Sequence, residues 1–120
     1  MPVLPRVKDY DSLYRQFRWP VPARYNIGLE VRDRWAEKEP GRLAILHARP
    51  DGRDEAVTYG WLRETSNRLA NTLRAHGIKR GDRVAILLPQ LPEVAAIHIA
   101  IYMLGGVALP LAVLFGSDGL

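Results

Sequence analysis

The side chains able to do chemistry are few and scattered. His47, His76 and His98 have no spacing that would set two imidazoles on one metal, and Gln90 offers no carboxylate to complete such a set. His98 lies inside the apolar run Val94 to Leu104, where an imidazole more simply satisfies a buried polar contact than lines a ligand site. Asp82 follows Gly81 just before another apolar stretch, the placement of an Asx-type turn rather than of a catalytic carboxylate. Ser66 and Ser117 have no recognisable base partner and sit in no nucleophile-elbow sequence. The chain has no cysteine, so thiol nucleophiles, thiolate zinc sites and disulfides are excluded. Gly105-Gly106 lacks the GxGxxG spacing of a dinucleotide fingerprint, and no GxxxxGK[ST] sequence occurs. No catalytic residue and no metal ligand is assigned, and a structural role is expected for each of these side chains.

The bulk properties bound the elements that must hold them. At 120 residues the chain has room for one modest domain. Its composition, 48% hydrophobic and 25% charged, is that of a folding globular chain. Met1 to Lys8 contains no apolar h-region, so no secretory signal is read and a cytoplasmic location is expected. Val94 to Leu104 is short of the roughly 20 residues that cross a bilayer, so no membrane span is expected. The net charge of +4 and the interleaving of Arg15, Arg18, Arg24, Arg32 and Arg34 with Tyr10, Tyr14, Phe17, Trp19 and Tyr25 raise nucleic-acid binding. The better account has the arginines as a solvated surface and the aromatic residues pinning the N-terminal segment to a body.

Residues 1–25, with Pro5, Pro20 and Pro22 and weak periodicity, read as an arm. Asn26 is an N-cap for a helix over Ile27 to Glu39, with Ile27, Val31, Trp35 and Leu29 as the apolar stripe that packs on a sheet and Pro40-Gly41 as the stop. Leu43 to Ala48 and Glu55 to Thr58 read as strands of a hairpin around Arg49-Pro50-Asp51-Gly52-Arg53. Thr58 caps the next helix, with Leu62, Thr65, Leu69 and Leu73 at helical spacing and Gly77 as its stop. Arg83 to Leu88 is a continuous apolar run after its first residue, the pattern of a central strand covered on both faces. Pro92 opens a buried helix to Leu104, and Val107 to Leu111 follows as a strand, so the order predicts a right-handed crossover and a parallel pair.

This is an α/β chain with a β-hairpin and a βαβ unit, and the unit is incomplete. A parallel pair needs cover on both faces and a ligand crevice needs further βα loops, while Phe115 to Leu120 reads as a loop with no closing element. The missing cover is expected beyond Leu120 or on another chain.

Thr58-Tyr59-Gly60-Trp61-Leu62, Ser66-Asn67-Arg68-Leu69-Ala70, then Leu73, Gly77, Gly81-Asp82-Arg83-Val84-Ala85-Ile86 and Leu88-Pro89 together resemble the adenylate-forming acyl-CoA synthetase family. Tyr25-Asn26-Ile27-Gly28, Asp33-Arg34-Trp35 and Gly105-Gly106-Val107-Ala108-Leu109-Pro110 look most like its acetyl- and medium-chain acyl-CoA synthetase branch. The resemblance runs from about Tyr10 to Leu120 and corresponds to the N-terminal part of that family's large domain, so residues 26–120 would form a partial subdomain of it. It implies ATP, Mg²⁺ and CoA for the whole enzyme. It equally implies that the phosphate loop with its lysine, the ribose-binding acid and the C-terminal lysine lie outside this chain, which is not expected to be active alone or to hold a cofactor by itself.

One site segment carries over. In acetyl-CoA synthetase-like relatives the loop after the strand corresponding to Val107–Leu111 approaches the CoA nucleotide, which here makes Ala112, Val113, Leu114, Phe115 and Gly116 CoA-side candidates. The paired glycines of the acetate-type enzymes are replaced by Val113 and Leu114, against close backbone approach. Three functions are therefore weighed: the structural N-terminal portion of an ATP-dependent carboxylate–CoA ligase, whose partner is the rest of the enzyme; an interaction module that meets a second copy of itself or docks on a partner; and, least favoured by its charge distribution, a nucleic-acid binder.

Overall fold

The computed structural model describes residue 4 and residues 6–114. Three helices form its centre. Helix α1 (Tyr10–Gln16) precedes them, α2 (Ile27–Ala36) leads into the strands β1 (Leu43–His47) and β2 (Glu55–Thr58), and α3 (Tyr59–Ala75), β3 (Arg83–Ile86), α4 (Pro92–Met103) and β4 (Val107–Pro110) complete the described chain.

The helix ends follow local chemistry. The Thr58 hydroxyl accepts the Trp61 N–H at 3.2 Å, capping α3 as its sequence predicts. At the other end Gly77 has φ +86°, and the N–H groups of Gly77 and Ile78 return to the carbonyls of Arg74 and Leu73 at 3.0 and 3.1 Å, a Schellman closure. The end of α4 repeats it: Gly105 has φ +72°, and Gly105 and Gly106 donate to Tyr102 and Ile101, each at 3.0 Å.

β1 and β2 pair antiparallel, with a bulge between Leu43 and Ile45, and β3 and β4 pair parallel. These are two separate two-stranded sheets. The fold class therefore agrees with the expectation from sequence, and β3-α4-β4 is its βαβ unit. Leu62, Ala96 and Ile99 form the core between α3 and α4, with Ile45, Trp61, Leu69 and Met103 packed around them.

Three expectations need correction. The second helix ends at Ala36, and it packs on α3 and α4 rather than on a sheet. Its buried residues are Gly28, Arg32 and Ala36, while Ile27, Leu29 and Val31 are 50%, 42% and 43% exposed. The cause is backbone proximity: a Cβ at position 28 would lie 2.7 Å from the Met103 nitrogen and 2.8 Å from the Ile99 carbonyl oxygen. Only glycine admits this approach, and it turns Ile27, Leu29 and Val31 of the apolar stripe outward, while Trp35 stays half-buried beside Tyr59. Second, the strand expected over Arg83 to Leu88 ends at Ile86; only Ile86 of it is buried and Leu87 and Leu88 are exposed, so the cover a central strand needs is not supplied by the described residues. Third, the segment before Asn26 contains a helix the weak periodicity concealed. Asp9 caps it by accepting the Ser12 N–H at 2.8 Å, and its aromatic residues do not pin it to the body. They pack on one another, Tyr10 with Tyr14 and Phe17 with Trp19, and α1 buries no residue.

Gly28→Ala should therefore destabilise the chain by about 1–3 kcal/mol, the usual penalty of overpacking. Gly41→Ala should change stability little, because nothing lies within 4 Å of the added carbon. Urea denaturation of the two variants checks the contrast, and equal midpoints would remove the close-approach account.

Candidate functional site

β3 and β4 run parallel, so both carboxyl ends face the same way, and in open α/β sheets ligands bind beyond that edge. The last rung is the Leu111 N–H to the Ile86 carbonyl at 2.9 Å. Directly after it stand Ala112, Val113 and Leu114, all exposed, with Leu114 at 92%. Phe115 and Gly116, the other two candidates, lie outside the described residues.

Near the same edge, the segment after β3 meets the hairpin. Ile45 to Ala48, Gln90, Leu91, Pro92, Val94 and Ala95 line an apolar crevice of about 400 Å³. The sequence offered little sign of this wall, because Gln90 and Leu91 sit in a loop and Ile45 arrives from a strand about 45 residues earlier. Pro92 opens α4 there, and Leu91 at the cap position gives no side-chain hydrogen bond to the helix.

Among the described residues the titratable side chains do not converge on this edge, and only His47 lines the crevice. His98 Nδ1 lies 2.8 Å from the Val94 carbonyl oxygen, one turn back in its own helix, and its ring meets Tyr102 edge-on. His47 Nδ1 stands 3.6 Å from Glu55 Oε2, too far for a hydrogen bond. His76 is the exposed C-cap of α3. Asp82 Oδ2 accepts the Lys79 N–H at 2.7 Å, which holds the tight turn before β3, and the Ser66 hydroxyl donates to the Arg63 carbonyl at 3.1 Å. Among the described residues no group of three His, Asp or Glu side chains is placed to hold a metal ion. Among the described residues this crevice is walled mainly by apolar side chains, His47 being the one titratable group that lines it, and nothing described there pairs that imidazole with a nucleophile.

Two polar residues do more than their sequence context suggested. Asn26 accepts the Leu29 N–H at 3.2 Å as the cap of α2 and also donates from Nδ2 to the Met103 carbonyl at 3.1 Å, tying the start of α2 to the end of α4. Arg32, only 2% exposed, donates to the Arg63 carbonyl at 3.1 Å and to Asn67 Oδ1 at 2.9 Å. Asp33 Oδ1 lies 3.3 Å from Arg32 and 3.4 Å from Arg63. Burial pushes the Arg32 guanidinium below the usual arginine range; Asp33 opposes that shift and Arg63 adds to it. An arginine so shifted is still charged at neutral pH. The available signal was the i, i+4 series Gly28, Arg32, Ala36, in which two small residues flank one long one. Arg42, Arg49, Arg53 and Arg68 are likewise engaged, with Glu39, Glu55, Asp51 and Glu64.

The hairpin, the three packed helices and the parallel pair define an α/β unit, and comparison with known proteins identifies its family. The chain belongs to the AMP-binding enzyme family, whose model matches residues 32–120. It is 34% identical over 115 residues to acetyl-coenzyme A synthetase 2-like, mitochondrial, of Homo sapiens, covering 95% of this chain and 17% of that protein. Against acetyl-coenzyme A synthetase of Bacillus subtilis the identity is 33%, covering 88% of this chain and 20% of the relative. The chain thus spans about a fifth or less of the length of the curated relatives it matches. Among solved structures it superposes on the acyl-CoA synthetase of Brucella canis with a TM-score of 0.78 and 29% identity, over 93% of this chain and 22% of the other. With acetoacetyl-CoA synthetase from Streptomyces lividans the TM-score is 0.71 and the identity 33%, over 76% of this chain and 14% of the other. Among the described residues no helix is long and apolar enough to cross a membrane.

The buried guanidinium yields a specific expectation. Arg32→Lys should cost about 1–3 kcal/mol, because one ammonium cannot span the Arg63 carbonyl and Asn67 from the same stem. Arg68→Lys, at an exposed i,i+4 pair, should stay within about 0.5 kcal/mol of the parent. Thermal melts of both variants decide it, and similar losses would show that Arg32 is not the clip between α2 and α3.

Proposed function

We propose that this chain is the N-terminal structural portion of an ATP-dependent carboxylate–CoA ligase. In the reaction of such a ligase a carboxylate attacks the α-phosphorus of ATP, giving an acyl-adenylate and pyrophosphate. The CoA thiol then attacks the acyl carbon, a thioester forms, and AMP leaves. The observation that carries the reading is the match of residues 32–120 to the AMP-binding enzyme family.

On this reading residues 1–25 are an arm and residues 26–120 part of the large domain. The chain supplies a sheet, its covering helices and one wall of the path to the acyl carbon. Ala112, Val113, Leu114, Phe115 and Gly116 form the CoA-facing loop beyond β4, where Val113 and Leu114 replace paired glycines and hold the nucleotide farther from the backbone. ATP and CoA are substrates of the whole enzyme, and Mg²⁺ would neutralise phosphate charge there. The described residues supply no donor set for it.

The surface supports a covering partner. The chain exposes 9512 Å², against about 6,500 Å² for a closed monomer of this mass. Its radius of gyration is 18.4 Å, where roughly 14 Å suits a closed domain of this length. Leu87, Leu88, Val107 and Leu109 are among the exposed apolar residues, and the remainder of the enzyme is the cover this reading assigns to them.

The 120-residue chain should give no carboxylate-dependent exchange between ATP and labelled pyrophosphate and no CoA thioester, whereas the gene product from its source cells should have an intact mass several times 13.5 kDa and give both. A gene product of 13.5 kDa, or exchange by the chain alone, would reject the reading. In the longer product, Val113→Gly with Leu114→Gly should lower the KM for CoA severalfold and leave the KM for ATP unchanged; an unchanged CoA value would remove this loop from the CoA side.

A further inference from the structure

A second groove lies at the opposite end of the βαβ unit. The turns that lead into β3 and β4 are neighbours there, joined by the Gly81 N–H to the Gly105 carbonyl at 2.9 Å. Between these turns, the end of α4 and the segment that enters α2 runs an open groove of about 770 Å³. It sits at the amino ends of the strands, away from the edge assigned to CoA, and so goes beyond the function proposed above.

Its chemistry is one-sided. Arg24 stands on one wall and Arg80 on the other, and no aspartate or glutamate lines it. Among the described residues neither arginine pairs with a carboxylate, although Arg32, Arg42, Arg49, Arg53, Arg63 and Arg68 all do. Arg80 is not a loosely hung side chain: its stem crosses Gly105, where an added Cβ would meet Arg80 Cγ at 3.0 Å. Between the two cations lie Tyr25, Ile27 and Tyr102, which are 62%, 50% and 37% exposed. The Asn26 bond to the Met103 carbonyl fixes the separation of the walls.

We propose that this groove docks an acidic peptide segment of a partner protein, two carboxylates pairing with Arg24 and Arg80 while an apolar side chain between them packs on Tyr25, Ile27 and Tyr102. Charge complementarity selects the occupant. Small-molecule sites are enclosed and bring their polar groups to one point, whereas this groove is open and holds its charges on opposite walls. Arginine carries such recognition well because its planar fork meets a carboxylate with two hydrogen bonds.

The test uses the complete gene product and a fluorescein-labelled Gly-Asp-Phe-Asp-Gly peptide, with binding read by anisotropy at low and moderate salt. The acidic peptide should bind, and its Asp-to-Asn counterpart should bind about tenfold more weakly, as expected when paired charges are lost. Arg24→Ser with Arg80→Ser should weaken binding to a similar extent, while Arg53→Ser with Arg74→Ser, which removes the same charge elsewhere, should leave it unchanged. Circular dichroism establishes that each variant is folded, and Arg24→Ser alone, on an exposed segment, serves if the double variant is not. Equal losses in both double variants would mean attraction to net charge only and would overturn the proposal. So would absence of binding, competition by inorganic phosphate at the concentration of the peptide, or self-association that the Arg24 and Arg80 changes abolish, which would make the occupant a second copy.

Discussion

The packing of the three central helices depends on the backbone contact of α2 with α4 at Gly28. A side chain there would collide with main-chain atoms of Ile99 and Met103, and main chain cannot move aside as a flexible side chain can. The contact fixes the rotation of α2 about its axis and therefore which residues face inward. Asn26 bonds to the end of α4 just before the contact, and Arg32 reaches α3 one turn after it. A helix that turns Ile27, Leu29 and Val31 outward is held by a glycine, an amide and a guanidinium. A charge buried this deeply carries a desolvation penalty, and here each hydrogen bond it makes also joins two helices.

The same rotation explains the distribution of apolar surface. Leu29 and Val31 on α2, Leu87 and Leu88 after β3, and Val107, Leu109 and Leu111 around β4 each remain exposed. A parallel pair with one crossover helix has a second face that nothing in the described chain covers. Surface of this kind belongs to proteins in which several segments share one core, and membership of the AMP-binding enzyme family gives it a context.

The βαβ unit also has a direction. Its carboxyl edge carries the exposed segment Ala112 to Leu114 and, nearby, the apolar crevice beside Gln90 and Leu91. Its amino edge carries two arginines and two tyrosines around a groove. A parallel pair separates these ends by the length of its strands, so a ligand at one and a protein partner at the other need not compete. An antiparallel pair of the same residues would have mixed the two sets of loops.

Much of the architecture was legible in the amino-acid order. Thr58 and Gly77 mark both ends of α3, Pro92 and Gly105-Gly106 bracket α4, and the Asp51-Gly52 turn joins the hairpin, because each depends on backbone chemistry within a few residues. The family was legible in the ordered motifs between Tyr25 and Pro110. The face α2 buries was not, since periodicity points to the wider apolar stripe, while the decision belonged to a clash with a backbone about 70 residues away. Nor was helix α1, whose seven residues are too short for a periodic signal and are held by the Asp9 cap. Burial of Arg32 and the two grooves were likewise settled in three dimensions, because each needs partners from distant elements, and single-chain patterns report the neighbours a residue has along the chain rather than those it meets through space.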